Sequence, residues 1–273
     1  MSVLPFREEV RQKPLDVTRA ALSFAHEIAY PRLEVDRYLQ ELDALTSSAR
    51  LVVPPDASPV DQALTLADYL FVREGFRGNQ ADYMDPRNSF LNDVLDRRLG
   101  IPISLSVIFL HVGTKLGVPV SGVGLPGHFI VCVRGEGGTT YLDPFNEGVI
   151  LSPGDCSRLV GEATGYDGHF QKEWLRKSRP AEILTRMLNN LRGIYIQQED
   201  WRNAADVVEH LRMIWPGSME FVRDLGLLRY REGSRRSAVE LLAAYLRQQP
   251  DAPDAADIQR CMRFICKELA TLN

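Results

Sequence analysis

The chain has 273 residues, with 32 Lys and Arg against 36 Asp and Glu, for a formal net charge of −4. Hydrophobic residues make up 45% and charged residues 25%, which excludes a disordered chain, a fibrous repeat and a low-complexity scaffold. The length is enough for one large domain or two modest ones with a self-sufficient core, and the mild acidity argues against broad nucleic-acid binding, which needs a basic surface.

Residues 1 to about 99 read as helical. In "VTRAALSFAHEIAY" the apolar positions Val17, Ala20, Ala21, Phe24, Ala25 and Ile28 recur at helical spacing. Pro31 breaks that run and "RLEVDRYLQELDAL" starts a second helix. Ser58-Pro59 reads as an N-cap followed by Pro at the first helical position, ahead of a face formed by Ala63, Leu66, Ala67, Leu70 and Phe71. "EGFRGNQADYMDPRN" is expected as loop and "SFLNDVLDRRLG" as a short helix stopped by Gly100. The strongly apolar "ISLSVIFLHVGTKLG" predicts a helix buried on most sides and stopped by Gly117.

"VPVSGVG" then reads as a strand, and "HFIVCVR" and "TTYLDPF" flank the Gly-rich turn "GEGG" as a hairpin. A helix packed on a small antiparallel sheet is an α+β pattern. Residues 156 to 180 are polar and Gly-rich and are expected as a linker or irregular cover. From about 181 the chain is helical again and repeats. An offset of 34 pairs Leu191 with Leu225, Ile194 with Leu228, Ala204 with Ala238, Val208 with Leu242, Leu211 with Tyr245 and Pro216 with Pro250. That is the tetratricopeptide period, in which a small residue lets two helices approach and a Pro ends the second. Arg192 and Arg229 stand where the pattern prefers Gly and Tyr, and a generic helical bundle is the plainer alternative. Two such units and a final helix, "ADIQRCMRFICKELATL", make a short capped array.

Cys132, Cys156, Cys261 and Cys266 form no CxxC pair and have no zinc-finger spacing. They read as reduced, mostly buried cytosolic thiols. The opening "MSVLPFREEV" has no basic stretch followed by an apolar run, so no secretory signal is expected. The longest apolar stretch, from Ile101 to Val112, is too short to span a bilayer. The expectation is a cytoplasmic protein without a membrane partner.

Three places carry candidate chemistry. Ser104 falls near the start of the buried helix, where free N–H groups favour negative charge; taken alone, it reads as a cap or as a hydroxyl bonding within its own helix. His128 opens a strand, with Ile130 and Cys132 on the same face. Asp143 stands just before a Pro, where an Asp is commonly a turn residue. If the hairpin loop is Gly135 to Gly138, facing positions sum to 273, so His128 faces Phe145 and Ile130 faces Asp143. His128 and Asp143 are then diagonal neighbours, roughly 7–8 Å apart at Cα and within side-chain reach. A one-residue slip would part them. A His oriented by an Asp is the base-and-orienter half of a nucleophilic triad.

"RNSFLNDVLDRRLGIPISLS", "GVGLPGHFIV" and "LDPFN", with the upstream "GFRGN" and the repeats behind, resemble the SirB-type transglutaminase-like/tetratricopeptide family, from about residue 60 to the end. The resemblance implies a papain-like core and, in active members of the superfamily, a Cys-His-Asp arrangement. His128 and Asp143 match its last two positions. The Cys does not carry over: the superfamily's helix spacing, counted back from "LGVP", lands on Pro102, and Ser104 is the nearest hydroxyl. No cysteine lies between Met1 and Val131. Asn92, Pro102 and Asn146 are expected to line the cleft, with a buried Asn satisfying backbone groups as the plainer reading of Asn92.

The resulting expectation is an α+β chain in two parts. Residues 1–175 would hold a helical region and a transglutaminase-like core, and residues 181–273 an all-α tetratricopeptide-like array. Its function is read as non-catalytic binding of a protein or peptide partner. The alternative is an amide or ester hydrolase or acyltransferase using Ser104, His128 and Asp143. Nothing in the sequence argues for a metal, nucleotide or flavin cofactor; Gly135, Gly137 and Gly138 are turn glycines with no Lys-Ser/Thr behind them.

Overall fold

Two of the first four helices start where the sequence supplies a side-chain oxygen for their unpaired N–H groups. Asp16 accepts from the backbone of Thr18 and Arg19, and Ser58 accepts from Asp61. The computed structural model describes residues 4–271. It opens with α1 (Phe6–Glu9), α2 (Val17–Ile28), α3 (Val35–Arg50) and α4 (Pro59–Ala67). α2 keeps its expected span and buries Ala20, Ala21, Phe24 and Ala25. A π-helical stretch, Asp68–Arg73, continues α4. The expected loop contains a two-residue strand, β1 (Arg77–Gly78), and a 3-10 turn, Pro86–Asn88, before α5 (Leu91–Arg97).

α5 was expected to stop at Gly100. It stops earlier, at Arg98, which takes the left-handed conformation with φ 57°. A non-glycine pays about 1–2 kcal/mol there. Arg98 is held by Glu41 at 3.1 Å and lies over the Phe76 ring at 4.5 Å. Gly100 belongs instead to β2 (Leu99–Gly100), parallel to β1 with Gly78 opposite Gly100.

α6 (Pro102–Leu116) is buried along its length from Pro102 to Phe109, and Gly117 ends it with φ 86°. β3 (Val120–Leu125), β4 (His128–Gly135), β5 (Gly138–Asp143) and β6 (Val149–Leu151) form one antiparallel sheet in chain order. The hairpin pairs Gly135 with Gly138 and Val131 with Leu142, the register in which facing positions sum to 273. β4 is buried on both faces from His128 to Val133, as a strand covered on two sides must be. α6 packs on the sheet. Ile130 and Cys132 join a separate cluster with Cys156 and Val160.

Those last two residues belong to α7 (Pro153–Thr164), a helix in place of the linker or irregular cover expected over 156 to 180; beyond it the chain does act as an irregular cover, with Phe170, Trp174 and Leu175 packed on the same cluster. The cause of the helix is a reciprocal cap. Ser152 Oγ accepts from the Asp155 N–H at 3.2 Å, and Asp155 accepts from the Ser152 N–H at 3.0 Å. A 3-10 turn, Lys172–Leu175, follows, and its Trp174 packs edge-on to Phe170 at 5.4 Å.

The chain forms two compact units, the first ending at Met187 and the second beginning at Leu188, within α8 (Pro180–Gln197). The second unit continues through α9 (Trp201–Ile214), α10 (Met219–Glu232), α11 (Arg235–Gln248) and α12 (Ala255–Thr271), each of α9 to α11 packing on the next. All ten hydrophobic residues paired by the offset of 34 are buried. Gly226 admits Leu242 so closely that a Cβ there would lie 2.8 Å from Leu242 Cδ2. The chain is α+β: the first unit is mostly helical with a small antiparallel sheet, and the second is a run of helical repeats. Among the described residues, no helix is long and apolar enough to cross a membrane.

Candidate functional site

The hairpin register brings the head of β4 to the tail of β5. His128 Nε2 lies 2.9 Å from Asp143 Oδ2. Asp143 is fully buried, and the turn that follows wraps its carboxylate. Oδ1 accepts from the Phe145 N–H at 3.0 Å, Oδ2 accepts from Asn146 Nδ2 at 2.8 Å, and the Asp143 carbonyl accepts from the Gly148 N–H at 2.7 Å. A buried carboxylate needs such donors. Because the carboxylate accepts, neutral His128 carries its proton on Nε2 and presents Nδ1 as the acceptor. The His128 ring meets Phe145 edge-on at 6.2 Å, and Phe145 meets Tyr83 edge-on at 6.0 Å.

The start of α6 is drawn to the same place. Gly78 pairs with Gly100, and a Cβ on Gly78 would lie 2.5 Å from Phe145 Cε2. α6 packs on the turn Pro144–Asn146. Pro102 occupies the first helical position and brings no nucleophile. Ser104 is fully buried and turned into its own helix start. Its Oγ donates to the Asn88 carbonyl at 2.7 Å, with a second contact to the Ile101 carbonyl at 3.1 Å, and accepts from the Ile101 N–H at 3.0 Å. Asn88 is also fully buried; its Oδ1 accepts from Asn79 Nδ2 at 3.0 Å and its Nδ2 donates to the Asp82 carbonyl at 2.7 Å. This asparagine pair fastens the 79–88 loop, with Tyr83 on it, onto the head of α6.

The structure thus brings His128, Asp143 and Asn146 together. No hydrogen bond among the described residues joins Ser104 or Asn92 to them. Asn92 is buried in the first turn of α5 with Oδ1 unpartnered. The thiols lie elsewhere. Burial, then the charges of Asp155 and Asp143, push Cys156 up to about 11; burial also pushes up Cys132 and Cys261. The expectation of mostly buried cysteines holds for Cys132 and Cys156 and fails for Cys266, which is exposed on α12. Among the described residues, no group of three or more His, Cys, Asp or Glu is placed to hold a metal ion.

Two residues at this site are silent in the sequence. Tyr83 sits in the loop, and Arg186 on α8 reaches the β3–β4 turn. Arg186 Nη1 donates to the Leu125 carbonyl at 3.2 Å, and Nη2 makes a longer contact of 3.5 Å to the His128 carbonyl. The spacing of Glu182 and Arg186 suggests an i,i+4 surface pair, but Glu182 is taken by Arg176 and Arg179, each at 2.9 Å.

Comparison with known proteins follows the same division of the chain. A family model described as the transglutaminase-like superfamily matches residues 36–189, and a tetratricopeptide-repeat model matches residues 191–263. A UPF0162 protein of Xylella fastidiosa (strain Temecula1) is 34% identical over 246 residues, covering 88% of this chain and 86% of that one. A UPF0162 protein of Vibrio cholerae is 29% identical over 188 residues, covering 68% and 69%. Human F-box only protein 21 is 34% identical over 139 residues, which are 48% of this chain and 21% of its own length.

Proposed function

This chain belongs to the transglutaminase-like superfamily, alongside the UPF0162 proteins, and from that premise we propose that it is a non-catalytic member that binds a peptide or protein segment in the cleft beside His128. The observation that carries this reading is the hydrogen bonding of Ser104. Acyl transfer needs a nucleophile within hydrogen-bond reach of its base, and a serine, unlike a thiol, does not ionise usefully at a helix start without one. Freeing Ser104 Oγ would strand the Asn88 carbonyl and the Ile101 N–H in a fully buried place, at a cost of about 1–3 kcal/mol for each group. The His128–Asp143 pair then serves as a fixed polar wall, with Tyr83 and Phe145 as its apolar neighbours.

In this reading residues 1–175 hold the cleft and residues 181–273 offer a second surface. Repeats of this type generally serve protein contacts. Four free thiols support action in a reducing compartment such as the cytoplasm.

The second reading is a hydrolase or acyltransferase using Ser104, His128 and Asp143. It is favoured by the 2.9 Å contact that orients the imidazole. The two are separated by treating the purified protein, Ser104→Ala and His128→Ala with serine- and cysteine-directed acylating probes and reading adducts by mass spectrometry. Absence of an adduct at Ser104 in folded protein is the expected result. An adduct at Ser104 that disappears in His128→Ala would establish the enzyme.

A further inference from the structure

We propose that Arg186 forms an anion subsite beside the His128–Asp143 cleft and takes a carboxylate of the bound peptide. The proposal rests on the reading of that cleft as a peptide-binding site. The Arg186 guanidinium is anchored by the Leu125 and His128 carbonyls. That leaves three of its five N–H donors uncommitted. It is half-buried, and no carboxylate among the described residues pairs with it. Glu182, one turn earlier, is committed: Arg176 donates to both its oxygens at 2.9 and 3.0 Å, Arg179 donates from its side chain at 2.9 Å and from its backbone at 2.8 Å. Arg192, Arg223, Arg229 and Arg235 in the second unit all have carboxylate partners.

Burial lowers the Arg186 pKa, and the Tyr83 phenol acts in the opposite sense. A partly desolvated cation with no carboxylate within ion-pair distance is costly to keep; an incoming anion removes that cost and meets a planar fork of donors suited to a carboxylate. Space is available. Arg186 lines a cavity of about 220 Å³ with Gly124, Phe129, Trp174, Arg176 and Ser178, a space next to the His128 backbone that the His128 and Asp143 side chains do not line. Glu173 and the neutralised Glu182 share its wall, so Glu173 opposes an anion and its removal should strengthen binding.

The test is affinity selection on the immobilised full chain, read by mass spectrometry. Three pools of N-acetylated tetrapeptides are offered: free C-terminal carboxylates without acidic side chains, C-terminal amides without acidic side chains, and C-terminal amides with one Glu. A carboxylate pool should be retained over the neutral amides, and which one identifies the source of the carboxylate. Arg186→Gln should reduce that retention about tenfold or more, Arg186→Lys should reduce it less, and Glu173→Gln should increase it. Neutral amides retained as well as either carboxylate pool would overturn the anion subsite and leave the peptide cleft standing. Retention of no pool would overturn both. The comparison of pools uses the unaltered chain, so a poorly folded variant does not protect the proposal.

Discussion

Replacing Ser104 by Ala removes a hydroxyl whose donor and acceptor are both spent on buried backbone. The Asn88 carbonyl loses a partner at 2.7 Å and the Ile101 N–H loses one at 3.0 Å. Each lost neutral bond is worth about 1 kcal/mol, and each group left buried without a partner costs about 1–3 kcal/mol. Ser104→Ala is therefore expected to destabilise the first unit by about 2–4 kcal/mol. Ser106, also fully buried and two residues further along α6, is the internal control. Its Oγ has no hydrogen-bond partner, so Ser106→Ala should be neutral or stabilising by up to about 1 kcal/mol. The assay is urea denaturation followed by Trp174 fluorescence in a Trp201→Phe, Trp215→Phe background. Trp174 lies in the first unit and the other two in the second, so the probe avoids mixing two transitions. Equal effects at the two serines, or a loss below about 0.5 kcal/mol at Ser104, would refute the assignment of Ser104 to the helix start.

Gly78→Ala places a Cβ 2.5 Å from the Phe145 ring and 2.8 Å from its carbonyl; it should cost about 1–3 kcal/mol and shift the His128 ring resonances, and an unchanged spectrum would contradict the packing described. Gly226→Ala should destabilise the second unit by a similar amount, about 1–3 kcal/mol, because Leu242 must move; a melt unchanged by the substitution would count against it. Arg176 chiefly, with Arg179, holds Glu182 down at about 2, against an ordinary 4.5. A lowered pKa stabilises above the ordinary value and loses that contribution as pH falls towards the folded one. Glu182→Gln should therefore cost about 1 kcal/mol at neutral pH, after allowance for its exposed partners, a penalty that fades as pH falls from the ordinary value through about 2; a penalty that persists undiminished in acid would contradict the sign. Ellman's reagent should reach Cys266 in the native protein and Cys132 and Cys156 only on unfolding; prompt reaction of Cys156 would show that its burial is wrong.

Much of the fold could be read in local chemistry. The register of β4 and β5 follows from the glycines of one turn, and with the loop at Gly135–Gly138 it makes Asp143 a diagonal neighbour of His128. The period of 34 picked out ten buried positions of the repeats. The miss at α7 is instructive, because Ser152-Pro153-Gly154-Asp155 has the same pattern as Ser58-Pro59-Val60-Asp61. Both are caps. The second was masked by the glycines and charges that follow it. The stop at Arg98 was not legible, since it depends on Glu41 and Phe76, distant in sequence. The site divides in the same way. Ser104 could be assigned to a helix start from its spacing, but the direction of its hydroxyl is set by Asn88, sixteen residues away in an irregular loop. Arg186 was silent for the opposite reason: what distinguishes it is the carboxylate it lacks, and a sequence displays charges without displaying which of them meet.

The central claim is that the cleft binds without turning over. The most direct measurement incubates the folded chain with peptide pools in ¹⁸O-labelled water and follows retention and product mass together. The account predicts retained, intact peptides and no ¹⁸O in any new carboxylate. Fragments carrying ¹⁸O that vanish in His128→Ala would contradict it, whether the attacking oxygen came from Ser104 through an acyl intermediate or directly from water activated by His128.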